Sequence, residues 1–142
     1  MATRDRQALL LRAAQANHEL FMITTARIEA AIGELRLTYQ TAHALWAIDP
    51  DEAPPSMSVM AGRLYCNAPN LTFIAKQLEA RGYAIRAKDP ADKRSTVLRL
   101  TPDGQRARTA VIKATLHATP FADCDDDQLR SLTALLTSLI SP

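Results

Sequence analysis

"LTFIAKQLEARGYAIRAKDPADKRSTVLRLTPDG", Leu71 to Gly104, changes its periodicity twice. Its first third places Leu71, Ile74, Ala75 and Leu78 at i, i+3, i+4 and i+7, the spacing of one helical face. Gly82 then stands where a helix needs a left-handed terminal residue. From there "YAIRAK" and "TVLRL" read as two short strands around a polar, proline-containing tip, "DPADKRS". In the returning strand Leu98 and Leu100 are expected to face inward, and Val97 and Arg99 outward. "TPDG" closes the stretch with Thr101 as an N-cap and Pro102 at the first helical position. A helix, a hairpin with a basic tip and a new helix are therefore expected in succession.

Working upstream, Asn67 is the expected N-cap of the helix Ala68 to Arg81, with Pro69 tolerated in its first turn. Before it, Ser56 caps a short helix, "MSVMAGRL", and only "YC" separates the two. Two helices joined by so short a turn make a helix-turn-helix unit. "DPDEAPP", Asp49 to Pro55, is read as a loop, and "LTYQTAHALWAI" as a helix capped by Thr38. The ends are helical too. Arg4 to about Leu35 forms one long helix, Pro102 runs to about Ala118, and "QLRSLTALLTSLI" carries a leucine stripe preceded by helix-starting aspartates.

The expected fold is mainly α with a small antiparallel β wing: a winged helix-turn-helix flanked by long N- and C-terminal dimerisation helices. We divide the 142 residues as one domain, with dimerisation helices at 1–36 and 106–142 and a winged helix-turn-helix lobe at 37–105. One chain has few partners for the leucine stripes of both ends, so a second copy is expected to cover them.

The net charge of +2 conceals an uneven distribution. Seven basic residues and three acidic ones lie between Lys76 and Arg99, so this segment carries +4 and the remainder −2. A local basic run on a near-neutral protein points to a polyanion contact, with a solvated charged face as the alternative. No apolar stretch reaches membrane-spanning length and the start lacks a signal-peptide pattern, so a cytoplasmic protein is expected. Cys66 and Cys124 share no metal-ligand spacing, and His18, His43 and His117 are scattered singly, so neither metal nor cofactor is expected. Nucleophile-elbow, phosphate-loop and zinc-protease motifs are missing, so no catalytic residue is assigned, and all four glycines are read as helix ends and turns.

The residues "LTFIAKQLEARGYAIR", "DPADKR" and "LRLTPDG", with their intervals, make the chain resemble the MarR family of bacterial transcriptional regulators over roughly Thr38 to Arg108. The resemblance implies a dimeric winged-helix protein on a pseudo-palindromic double-stranded DNA operator, usually a repressor released by a small molecule or an oxidant. Asp92 and Arg94 match the family's wing pair, whose arginine enters the minor groove. Lys88 and Lys93 are expected on phosphates. Arg86 matches the basic residue ending the first wing strand, in a structural role, a DNA-facing one or both. On the recognition helix, Asn67 caps, Asn70, Thr72 and Lys76 are the candidate base contacts, and Phe73 stands where the family commonly has a polar residue. Local backbone capping is the competing role for Asn70 and Thr72.

The same resemblance implies an aromatic or anionic effector between the dimer helices and the lobe, near His18, Tyr39, His43 and Trp46, although a tryptophan at that position is more commonly core. Cys66, just before the recognition helix, is the candidate for oxidation, with a buried inert thiol as the preferred reading. The alternative function is a winged-helix protein-interaction or ligand-sensing module that no longer binds DNA, which an outward Phe73 would suit.

Overall fold

The computed structural model describes residues 2–141. Its elements are α1 (Ala2–Gly33), α2 (Tyr39–Ala47), α3 (Met57–Arg63), α4 (Ala68–Ala80), β1 (Ala84–Lys88), β2 (Thr96–Leu100), α5 (Pro102–Ala118), a 3-10 turn (Pro120–Asp123) and α6 (Asp126–Ile140). The expected winged helix-turn-helix with helical ends is present, and the 3-10 turn is an addition to it.

The helix starts follow from capping chemistry. The side chains of Thr38, Ser56 and Asn67 accept the backbone N–H groups of Thr41, Val59 and Asn70, which the first turns would otherwise leave unpaired. Asp125 does the same for α6, and Gln128 returns the bond to the Asp125 N–H, so this helix begins at Asp126, two residues before the expected Gln128.

Residues Ile28–Thr115 pack as one compact unit, while the segments up to Arg27 and from Leu116 form another. The lobe is thus wider than 37–105, because Ile32 near the end of α1 and Val111 in α5 are both buried in its core. Around them lie Leu45, Ile48, Met60, Leu71, Leu78 and Leu98, each at most 2% exposed. The terminal unit has another character. None of its described residues is buried, and Leu9, Leu10, Phe21, Met22, Leu135, Leu136, Leu139 and Ile140 are all exposed.

The wing is an antiparallel pair in which Ala84 faces Leu100 and Lys88 faces Thr96. Leu98 and Leu100 point into the core as expected, but Val97 is buried as well. The reason is a third backbone partner. Ser56 makes an isolated bridge to Val97, and the Leu98 N–H donates to the Pro55 carbonyl at 2.9 Å, so the end of "DPDEAPP" lies beside β2 rather than as a free loop. Strict in-out alternation fails where a strand is covered on both faces.

Two further turns depart from the glycine reading. Gly82 has the expected positive φ of 71°, but Gly33 does not; the α1–α2 connection turns at Arg36, with φ 58°. Between α3 and α4 the left-handed residue is Tyr65, φ 51°, with its side chain 88% exposed. A tyrosine there costs about 1 kcal/mol of backbone strain with no burial to offset it. Tyr65→Gly is expected to raise the thermal midpoint by about 2–4 °C, whereas Tyr65→Ala, which keeps the Cβ, is expected to leave it nearly unchanged.

Candidate nucleic-acid interface

The recognition helix α4 divides cleanly. Leu71, Ile74, Ala75 and Leu78 are buried, each at 3% exposure or less, and Pro69, Asn70, Phe73, Lys76 and Ala80 are exposed. Among the polar candidates, local bonding has already claimed two. Asn67 Oδ1 accepts the Asn70 N–H at 2.9 Å, so this side chain is used as a cap. The Thr72 hydroxyl donates to the Ala68 carbonyl at 3.0 Å, leaving its methyl and one acceptor lone pair for a ligand. No side-chain bond of Asn70 or Lys76 is found among the described residues.

At the wing, acidic and basic groups are used differently. Asp89 Oδ1 accepts the Ala91 N–H and Asp92 Oδ1 accepts the Arg94 N–H, at 2.9 and 3.0 Å, so both carboxylates build the loop from inside. Asp92 therefore holds the backbone of Arg94 and not its guanidinium. The Asp89 N–H donates to Ser95 O and the Ser95 N–H to Asp92 O, each at 2.9 Å, which closes the tip. Lys88, Lys93 and Arg94 are exposed and make no ion pair among the described residues. Arg86 is the exception. Its Nε lies 2.5 Å from Glu79 Oε1, tying β1 to α4, which makes its structural role concrete.

Thr72, Arg86 and Arg94 come together along an open groove of about 590 Å³ between α3, α4 and the wing, where Ser58, Ser95 and Thr96 add hydroxyls. Asn70, Phe73, Lys76, Lys88 and Lys93 lie outside that lining. The groove combines two guanidinium groups with hydroxyl donors and no carboxylate, a set suited to phosphate oxygens.

Three arginines that sequence reasoning left without a role fix the frame behind this face. Arg81 donates to the Arg36 carbonyl at 2.6 Å and lies 5.1 Å from the Tyr83 ring centroid, tying the end of α4 to the α1–α2 turn. Arg63 donates to Ala47 O at 2.7 Å and Arg108 to Trp46 O at 3.4 Å, so two other elements satisfy the last carbonyls of α2. These bonds join residues 16 to 62 positions apart, and no local pattern announces them.

Tyr39, His43 and Trp46 line a small cavity with Ile32, Val111 and Thr115, while His18 falls in the terminal unit. Trp46 is 42% exposed, which corrects its reading as core: its carbonyl, not its ring, is anchored. The cavity measures about 60 Å³, room for about two waters and well below the ~150 Å³ that accommodates benzene. His43 is exposed at one edge, yet burial against the apolar wall lowers its pKa below the ordinary histidine value, favouring the neutral ring. Cys66 is half-buried and not fully buried, and it shares a crevice with His43, Tyr39 and Asn70.

Residues 37–96 match the model of the MarR family. Over this segment the chain is similar to the MarR family. Among relatives, the chain is 31% identical over 85 residues to YkoM, an HTH-type transcriptional regulator of Bacillus subtilis (strain 168). That match covers 58% of the chain and 55% of YkoM, so the chain spans about half the length of this relative. Among solved structures, CouR from Rhodococcus jostii RHA1 bound to p-coumaroyl-CoA superposes with a TM-score of 0.75 at 19% identity, covering 100% of this chain and 96% of CouR. The transcriptional repressor CouR bound to a 23-mer DNA duplex gives 0.71 at 21% identity, covering 92% and 89%. At such identities the likeness to CouR is one of fold. Among the described residues no helix is long and apolar enough to cross a membrane, and no three or more His, Cys, Asp or Glu side chains are grouped to hold a metal.

Proposed function

We propose that the chain is a transcriptional regulator that binds double-stranded DNA sequence-specifically, placing α4 in the major groove and Arg94 in the adjacent minor groove. The observation that carries this reading is the asymmetry of the wing. Its carboxylates each accept a backbone N–H of the loop and pair with no cation, while Lys88, Lys93 and Arg94 project unpaired among the described residues. A merely solvated charged face would be expected to pair its charges across the hairpin; a polyanion site leaves the cations available. CouR, with the same fold, is a repressor seen on a DNA duplex, which supports repression as the mode of action.

The regulator acts as a homodimer on a pseudo-palindromic operator. Support comes from the terminal unit, whose leucines remain exposed on a single chain: Leu135 is 62% and Leu139 75% exposed, one turn apart on α6. A second copy covering this stripe gives two recognition helices a two-fold arrangement. Leu139→Ser is expected to weaken the dimer about tenfold, each copy losing roughly the burial of a leucine tip, read as a shift toward monomer in sedimentation at micromolar protein.

Release by a small aromatic or anionic molecule at Tyr39, His43 and Trp46 completes the proposal. CouR binds p-coumaroyl-CoA, which makes this class of effector reasonable for a relative in fold. The cavity has to open for any ring to enter, so binding and movement of α2 are coupled, and α2 is the element Arg63 and Arg108 hold. Oxidation at Cys66 is the alternative signal.

Selection of the full-length protein against a randomised duplex pool at low salt tests the function. Enrichment of one inverted repeat with half-sites about one helical turn apart is expected. Failure to enrich any duplex would leave the protein-interaction or ligand-sensing module as the reading to pursue, a role that the 60% exposure of Phe73 would serve.

A further inference from the structure

The outward face of α4 carries an apolar ring at its centre. Phe73 is 60% exposed, with Asn70 one turn before it and Lys76 one turn after it, both exposed. Phe73 and Lys76 lie on the side opposite Leu71, Ile74, Ala75 and Leu78, with Asn70 on the flank beside Ile74, so the ring has no part in the core. A phenylalanine held in water on a helix otherwise well matched to its surroundings is the kind of local conflict that marks a functional surface.

We propose that Phe73 is a specificity-determining residue that reads thymine through its 5-methyl group. This rests on the DNA-binding reading above, and it deepens that reading. Within the major groove each base pair shows donors and acceptors, and the thymine methyl is the apolar group available to a phenyl ring. Asn70, Phe73 and Lys76 follow one another at about 4.5 Å along the helix axis, close to the ~3.4 Å step between base pairs, so the three can address neighbouring positions. The amide and the ammonium on either side can pair with polar groups of the DNA, which the ring cannot, so the methyl is the partner left to it. The unpaired cations of the wing, on the hairpin that follows α4, supply the charge that seats the helix against DNA and not against an apolar protein surface.

The test uses the duplex enriched from the randomised pool and replaces each thymine in turn by deoxyuridine, which removes the methyl and leaves the base pair intact. One position per half-site is expected to lose affinity roughly fourfold, the equivalent of one buried methyl group, and about tenfold or more when both half-sites are changed. Phe73→Ala is expected to bind the thymine duplex with the same loss and to show no further loss with uracil. Phe73→Leu is expected to keep the sensitivity, and Lys76→Ala to bind more weakly yet respond to uracil as the wild type does. Since Phe73 is exposed, its variants are expected to retain the wild-type circular dichroism and melting temperature. Wild-type binding with no uracil position changing affinity more than twofold overturns the inference and leaves DNA binding standing. Equal uracil sensitivity in the wild type and in Phe73→Ala also overturns it, by assigning the methyl contact to another side chain. If no duplex is enriched at all, the inference falls together with the reading beneath it.

Discussion

Arg94→Ala is expected to weaken operator binding about a hundredfold while leaving the fold intact. The side chain is fully outside the core, and its backbone N–H is what Asp92 holds, so truncation removes the guanidinium without disturbing the tip. A charged donor on phosphates or in a narrow minor groove contributes roughly 1.5 kcal/mol, and a dimer presents two, which together correspond to about a hundredfold. Arg94→Lys is expected to fall between, since the charge remains but the planar fork is lost. Asp92→Ala should show a milder defect of a different kind. It keeps every cation but frees the loop, so the salt dependence of binding is expected to stay near that of the wild type while affinity declines. Fluorescence anisotropy on the selected duplex reads all three.

Gly104→Ala is expected to be the most destabilising small substitution in the lobe. Gly104 lies in the first turn of α5, where a Cβ would sit 1.8 Å from the Tyr83 carbonyl oxygen and 2.8 Å from its carbon. Both are backbone atoms, so no rotamer change relieves the clash. The carbonyl is itself committed, accepting the Thr101 N–H at 3.0 Å, while the Thr101 hydroxyl accepts the Gly104 N–H at 3.0 Å and donates to Gly82 O. Moving α5 outward therefore breaks the latch between α5 and the turn that positions β1. A cost of about 3 kcal/mol or more is expected, with a fall of about 10 °C in the thermal midpoint. Gly62→Ala serves as the control: a Cβ there meets nothing within 4 Å, and stability is expected to hold or rise slightly.

The contrast between these two glycines shows what the linear pattern contains and what it lacks. Capping residues act within three or four positions, so Thr38, Ser56, Asn67 and Thr101 announce their helices in the chain itself, and Leu71 through Leu78 announce the buried side of α4. The wing is legible for the same reason, since its strands pair through a tip of seven residues. The sequence pattern marks Gly104 as a turn residue, but what requires a glycine there is a carbonyl 21 positions away. Val97 is bridged by Ser56, and Trp46 is held through its carbonyl by Arg108; both outcomes depend on chain reversals between the partners. In the candidate site, residue types and spacing identify Arg94 and the outward face of α4. They do not separate Thr72, whose hydroxyl is spent on a backbone carbonyl, from Asn70 and Lys76, whose side chains are not, because that division is decided by rotamers and not by period.

The account rests on unpaired wing and helix cations meeting a polyanion, and the dependence of operator affinity on salt measures that directly. For a dimer presenting Lys76, Lys88, Lys93 and Arg94 from each copy, affinity is expected to fall about a thousandfold or more between 50 and 200 mM potassium chloride, with the logarithmic slope reduced by about two in Arg94→Ala. A slope near zero, or one that Arg94→Ala leaves unchanged, would contradict the assignment of this face to DNA.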